Sequence, residues 1–167
     1  MKMTGEYRIP ASRDLVWVAL NDAETLKQCL RGCQHLERVD DSHMIGTLTT
    51  KVGPIRATFN GKITLSQIDP PNGYYISGEG KAGPAGLAKG GAKVALHEDN
   101  GGTVLTYVVE ASLGGKLAQL GSRVIDAVAK RLADDFFQKF AGEVAQEGDD
   151  PAATDGCATG SGILPPN

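Results

Sequence analysis

One amphipathic segment near the end of the chain constrains the fold more than anything before it. From Lys116 to Val144 the apolar residues Leu117, Leu120, Val124, Val128, Leu132, Phe136, Phe140 and Val144 recur at steps of three and four. That spacing sets them on one stripe of a helix with 3.6 residues per turn. Lys130, Arg131, Asp134, Asp135 and Lys139 fall on its other faces. A stripe this long must be covered, and about seven short strand-like runs precede it. The segment therefore predicts one long helix against the inner face of a large antiparallel sheet. A sheet folded around a single helix often leaves space between the two. A container for an apolar small molecule is the first functional idea this raises.

The rest of the chain fits that plan. Thr4 to Ile9 alternates weakly and ends at Pro10, as a first strand would. Ser12 is placed to cap a short helix carrying Val16, Trp17 and Leu20. Asn21-Asp22 breaks it and starts a second short helix, which ends near Leu30 with Gly32 beyond. The middle is β. Met44, Gly46, Leu48, Thr50 and Val52 oppose Ile45, Thr47, Thr49 and Lys51, and Gly53-Pro54 makes a turn. Ile55, Ala57, Phe59, Gly61, Ile63 and Leu65 then alternate with polar residues, so one face is buried and one wet. Pro70 to Gly73 turns into a strand over Tyr74–Gly80, followed by a Gly-rich loop over Lys81–Gly91. Ala92–His97 and Thr103–Leu113 pair across Asp99-Asn100-Gly101-Gly102. The expected fold is α+β: a curved antiparallel sheet of about seven strands wrapped around the C-terminal helix, with two short helices after strand 1.

Charge limits the partners. There are 17 Lys+Arg against 20 Asp+Glu, and four of the acids (Glu147, Asp149, Asp150, Asp155) lie after Ala145 with no base beside them. Residues 1–145 thus form the expected domain, close to neutral. Residues 146–167 are an acidic segment too poor in apolar residues to pack, which predicts a disordered tail. A near-neutral domain without a Lys/Arg stripe argues against a nucleic-acid partner. No apolar run approaches the ~18 residues of a membrane span, and the polar N-terminus lacks a signal-peptide core. Three cysteines give no disulfide framework, so the reading is cytoplasmic.

Three motifs compete for a chemical role. Gly78-Glu79-Gly80-Lys81-Ala82-Gly83 matches a dinucleotide fingerprint, but that needs a helix after the third glycine, and here Pro84 and Gly86 lead into another strand. Cys29, Cys33 and His35 resemble part of a zinc site, yet no second pair at a suitable spacing completes four ligands, so no metal is expected. Asp40-Asp41 and Asp134-Asp135 read as solvated surface. Glu79 and Glu110 would face inward only if the strand registers were shifted. No catalytic residue is assigned. What remains is an inner face mixing large residues with small ones (Gly46, Ala57, Gly61, Gly78, Ala111), to which the helix adds Gly121 and Ala129. Such a mixture means either close packing or unfilled space.

Several stretches together resemble one family. They are Val16-Trp17, Leu20-Asn21-Asp22, Leu26, Cys29 and Gly32-Cys33, then Lys51-Val52-Gly53-Pro54-Ile55 with Phe59 and Gly61, Leu105-Thr106-Tyr107, the run from Gly114-Gly115-Lys116-Leu117 through Ala118-Gln119-Leu120-Gly121-Ser122-Arg123, and Phe136-Phe137. Over about residues 1–145 the chain resembles the carbon monoxide dehydrogenase G-subunit family, part of the START-like, helix-grip superfamily that includes polyketide cyclases and lipid-transport proteins. The resemblance implies an accessory carrier or adaptor for a molybdenum hydroxylase of the carbon monoxide dehydrogenase type, not an enzyme. It also implies recruitment to the inner face of the cell membrane, with a quinone or lipid as ligand and no covalently bound cofactor. Only Ile163 and Leu164 are apolar near the chain's end. Burying both would contribute ~3–5 kcal/mol, too little for stable anchoring, so membrane contact is expected to be transient or made by loops.

On this reading the ligand-lining residues are Leu48, Phe59, Ile76, Tyr107, Leu120, Gly121, Val124 and Val128, with the Tyr107 hydroxyl as an anchor for a carbonyl. Lys51, Gly53, Pro54, Lys81, Gly86 and Lys89 lie in loops that gate the cavity or dock a partner. A cyclase- or hydratase-type enzyme using an inward acid or tyrosine is the rival. A solid-cored module acting only through its surface is a third reading.

Overall fold

A computed structural model describes residues 1–149, with side chains through Gln146. Strand β1 (Lys2–Ile9) is followed by helices α1 (Arg13–Leu20) and α2 (Ala23–Cys29). Six strands come next: β2 (Cys33–Asp40), β3 (His43–Val52), β4 (Ile55–Asp69), β5 (Gly73–Lys81), β6 (Leu87–Asp99) and β7 (Gly102–Gly114). A 3₁₀ turn (Gly115–Leu120) then leads to helix α3 (Ser122–Asp149). All seven strands form one antiparallel sheet in the order β1-β7-β6-β5-β4-β3-β2. This is a meander from β2 to β7 that closes back onto β1. Consecutive strands β1 and β2 therefore lie at opposite edges, and α1 and α2 carry the chain between them. α1 starts as its sequence suggests, with Ser12 Oγ accepting from the Leu15 backbone N–H at 3.3 Å. The side chain of Asp22 at the start of α2 accepts from the Thr25 hydroxyl at 2.6 Å.

The architecture is the expected helix-grip arrangement, with three local differences. The amphipathic stripe belongs to two elements, not one helix. Gly121 sits between the 3₁₀ turn and α3 at φ +87°, a conformation that breaks the helical path and that side-chain-bearing residues rarely adopt. The stripe hides the break because Leu117 and Leu120, three residues apart, share a face of a 3₁₀ turn as they would of an α-helix. Next, the Gly-rich segment is mostly strand. Leu87 to Gly91 are paired with β5 on one side and β7 on the other, so the connection shrinks to Ala82–Gly86. Finally, β2 is the strand whose position the alternation does not reveal. Its exposed Gln34, His35, Glu37 and Val39 leave only Cys33, Leu36 and Arg38 partly covered, and register shifts interrupt its pairing with β3. α3 itself continues beyond Val144 to Asp149. Residues 150–167, most of the expected tail, lie outside the described residues.

The interior divides into two levels along the strands. At one level large side chains fill the space: Met44, Leu65, Tyr74, Leu96 and Leu105 from the sheet pack with Val16 and Leu20 of α1 and with Phe140 and Val144 of α3. Phe140, Val144, Leu105, Ile9 and Val16 are fully buried. Further along the same strands the inner-face residues become small. β3 passes from Met44 to Gly46, β5 from Tyr74 to Gly78 and Gly80, and β6 from Leu96 to Gly90 and Ala88. The solid core and the site are thus two levels of one layer.

Candidate functional site

Where the inner face becomes small, a cavity of about 400 Å³ lies between the sheet and the N-terminal half of α3. The register explains the space. Gly46 pairs with Gly61, and Gly61 with Gly80 on the next strand. Gly78 pairs with Gly90, and Gly90 with Ala111. Two rows of residues with little or no side chain therefore cross the sheet side by side, and the backbone itself forms the floor. That backbone is already paired in the ladder, so the floor offers little polarity. Leu48, Phe59, Ile63 and Leu113 form the sides, and Ile125, Val128, Ala129 and Leu132 of α3 the roof. Leu30, Cys33 and Leu36 close the β2 edge.

Of the eight residues expected to line a ligand, Leu48, Phe59 and Val128 stand in this wall. Ile76 and Tyr107 are on the inner face as expected, but one level lower. Ile76 packs against the solid core and Tyr107 is part of it. The Tyr107 ring stacks on Phe137 at 5.6 Å and on Tyr7 at 6.0 Å, and its hydroxyl lies over Gly5, 2.5 Å from where a Gly5 Cβ would be. It is therefore engaged within the core instead of pointing at the cavity. Leu120 and Val124 meet the Gly53 turn, where Val124 Cγ1 lies 3.1 Å from where a Gly53 Cβ would be. They sit at the β3–β4 turn, outside the cavity wall. Gly121 faces open space, with no atom within 4 Å of the place its Cβ would take. A bulky residue there would strain the backbone without filling the cavity.

Of the six residues expected in loops, Gly53, Pro54 and Gly86 lie in connections, whereas Lys51, Lys81 and Lys89 lie in strands. Gly53 and Pro54 form the β3–β4 turn, with exposed Lys51 just before it. Lys81 ends β5, and Gly86 approaches Gly114 so closely that a Cβ would sit 2.0 Å from the Gly114 carbonyl oxygen. The turns of β3–β4, β5–β6 and β7–α3 thus share one end of the molecule. Lys89 is not in a loop; it lies within β6, opposite Glu79, and its side chain is exposed.

Few polar groups reach the cavity. Glu79 is exposed on the outer face, in register with Lys62 and Lys89, and Glu110 is exposed beside Lys2. Burial pushes the Cys33 thiol above its ordinary pKa, and the thiol donates to the His35 carbonyl at 3.3 Å. Thr50 completes the short set of polar side chains on the inner wall. Among the described residues no three His, Cys, Asp or Glu side chains converge as a metal site would require. Nor, among the described residues, is any helix long and apolar enough to cross a membrane. The sequence reasoning identified several floor residues as small but could not assign them to one place. It missed Ile125 and Leu132, which the three-and-four spacing about Val128 could have supplied. The β2 contribution left no usable signal.

Seven antiparallel strands curled around one long helix, with an apolar cavity between them, define a START-like helix-grip protein. The chain belongs to the carbon monoxide dehydrogenase G-subunit (CoxG) family, whose sequence profile matches residues 5–145. Among solved structures, a conserved protein from Geobacillus kaustophilus is 29% identical, with a TM-score of 0.82 over 88% of this chain and 97% of that one. The ZhuI aromatase/cyclase from Streptomyces sp. R1128 is similar in fold alone, at 16% identity and a TM-score of 0.63 over 88% of this chain and 94% of that one. Ara h 8.0201 is similar likewise, at 18% identity and 0.65 over 87% and 98%. No curated protein sequence matches the chain.

Proposed function

We propose that the protein is a non-enzymatic carrier or adaptor that holds a compact apolar ligand, a quinone or the chain of a lipid, for a molybdenum hydroxylase of the carbon monoxide dehydrogenase type. The observation that carries this reading is the glycine floor. Close-packed interiors leave few voids larger than a water molecule, yet here side chains are missing on neighbouring strands at one level, facing one another in register. At about 400 Å³ the space lies toward the small end of the ~300–1,000 Å³ range of ligand sites. That favours one ring system or one chain over a whole two-chain lipid. An apolar wall without an inward carboxylate suits binding better than acid–base chemistry, which needs a titratable group within reach of the reacting atom. The membrane would supply such a ligand, and Lys51, Lys81, Lys116 and Arg123 are exposed around the end where the three turns meet. Exposed Leu87 accompanies them. This mixture fits a brief contact with an anionic bilayer surface.

The test is Gly78→Leu. The nearest atoms to a Cβ at Gly78 are the Lys62 carbonyl oxygen at 3.4 Å and Ile63 Cγ1 at 3.8 Å, so the first carbon fits and the rest of the side chain enters the cavity. Native mass spectrometry with organic extraction should find a stoichiometric quinone or lipid on the wild type. It should find at least about tenfold less on the variant, with the melting temperature little changed. A wild type that carries nothing and takes up no added quinone would sink the carrier reading and leave a module acting through its surface.

A further inference from the structure

We infer that Thr50 is the hydrogen-bond donor that fixes the polar end of the ligand, so that the cavity selects an apolar body bearing a carbonyl-type acceptor. The inference rests on the carrier reading and adds to it a residue and a chemical requirement. On β3 the three threonines at 47, 49 and 50 are treated differently. The Thr47 hydroxyl donates to Asn60 Oδ1 at 3.0 Å, and those of Thr49 and Thr58 share a bond of 3.0 Å, all on the outer face. Thr50 faces inward between Leu48 and Val52, in register with buried Ala57. It stands in the cavity wall, and among the described residues its hydroxyl bonds to no protein group.

The other polar residues at the wall are engaged or turned away. The Cys33 thiol donates to the His35 carbonyl. His35 is exposed, with Nε2 3.2 Å from Glu37. Lys62, Glu79 and Lys89 border the wall at strand positions next to Gly61, Gly78, Gly80 and Gly90, while their side chains are exposed. An inward hydroxyl without a protein partner is a poor choice for packing, because valine fills the same volume without a polar group to satisfy. It is a good choice for orienting a ligand whose remaining surface is apolar. Thr50 lies two residues before Val52, near the β3–β4 turn, so the acceptor end of the ligand points to the end where the loops converge. The apolar remainder lies over the glycine floor.

Isothermal titration calorimetry with two probes of similar shape tests this. Menadione carries two carbonyls on a naphthalene frame, and methylnaphthalene carries none. Thr50→Val should weaken menadione binding about tenfold, the value of one hydrogen bond, and leave methylnaphthalene within about twofold. Thr50→Ser, which restores a hydroxyl, should recover menadione affinity. Equal losses for both probes, or no loss for either, would overturn the role of Thr50 while leaving the carrier reading intact. Failure of the wild type to bind either probe would overturn both.

Discussion

Tyr7 on β1 shows how one hydroxyl ties the helix to the sheet. It donates to Asp134 of α3, and Lys130, one helical turn away, adds an ion pair at 3.0 Å. Burial, and then the bond to Asp134, push the Tyr7 phenol far above its ordinary pKa. The same bond, followed by Lys130, holds the Asp134 carboxyl below the usual carboxylate range. A carboxyl whose folded pKa is depressed adds stability above its unfolded value, and that stability is lost as pH falls through the folded value. Tyr7→Phe should therefore raise the Asp134 pKa toward the ordinary ~3.9. The stability gap between wild type and variant should be widest at neutral pH and narrow in acid. Carbon-13 titration of the Asp134 carboxyl, with urea unfolding at both pH values, would check this. An unmoved titration midpoint would mean that the hydroxyl does not hold the carboxylate. Tyr107 belongs to this same cluster, which is why a residue on the correct face of β7 is not at the ligand. Alternation tells which side of a strand a residue takes, but not how far along the sheet its partners have filled the space.

At the scale of the element, α3 is one helix with two occupations. Its C-terminal half buries Phe140 and Val144 completely against β1 and the two short helices. Its N-terminal half presents Ile125, Val128, Ala129 and Leu132 to the cavity, and none of these is fully buried. The two halves should respond differently to truncation. Phe140→Ala should destabilise by about 3–5 kcal/mol, the usual effect of removing a large buried aromatic ring. Val128→Ala should stay below about 1.5 kcal/mol, because the methyl groups removed already face unfilled space. Urea denaturation measures both, and comparable losses would mean that the roof is packed like the core. The apolar stripe reads alike through both halves, so the division into core and roof depends on what the sheet places opposite each turn.

The whole molecule is polarised by its topology. In a meander, alternate turns fall at alternate ends, so the β3–β4, β5–β6 and β7–α3 connections collect beside the cavity and bring Lys51, Lys81, Lys116 and Arg123 with them. These residues are far apart in a chain whose overall charge is only −3, and no basic cluster is visible along it. If that end meets an anionic bilayer, reversing Lys51, Lys81 and Lys116 to Glu should lower co-sedimentation with phosphatidylglycerol vesicles several-fold. Raising the salt should weaken the wild type in the same direction. Binding that is indifferent to both would remove the membrane from the proposal. The sequence by itself determined the fold class, the two short helices, most of the strands and the side each strand turns inward, because periodicity and helix-start signals are local properties of the chain. It also held the small residues that make the cavity, but not their meeting. Gly46, Gly61, Gly80, Gly78 and Gly90 become a floor only when hydrogen-bond register brings them level across four strands. Register, and with it the separation of a solid core from an open site, is a property of pairings between distant segments that only the tertiary structure decides.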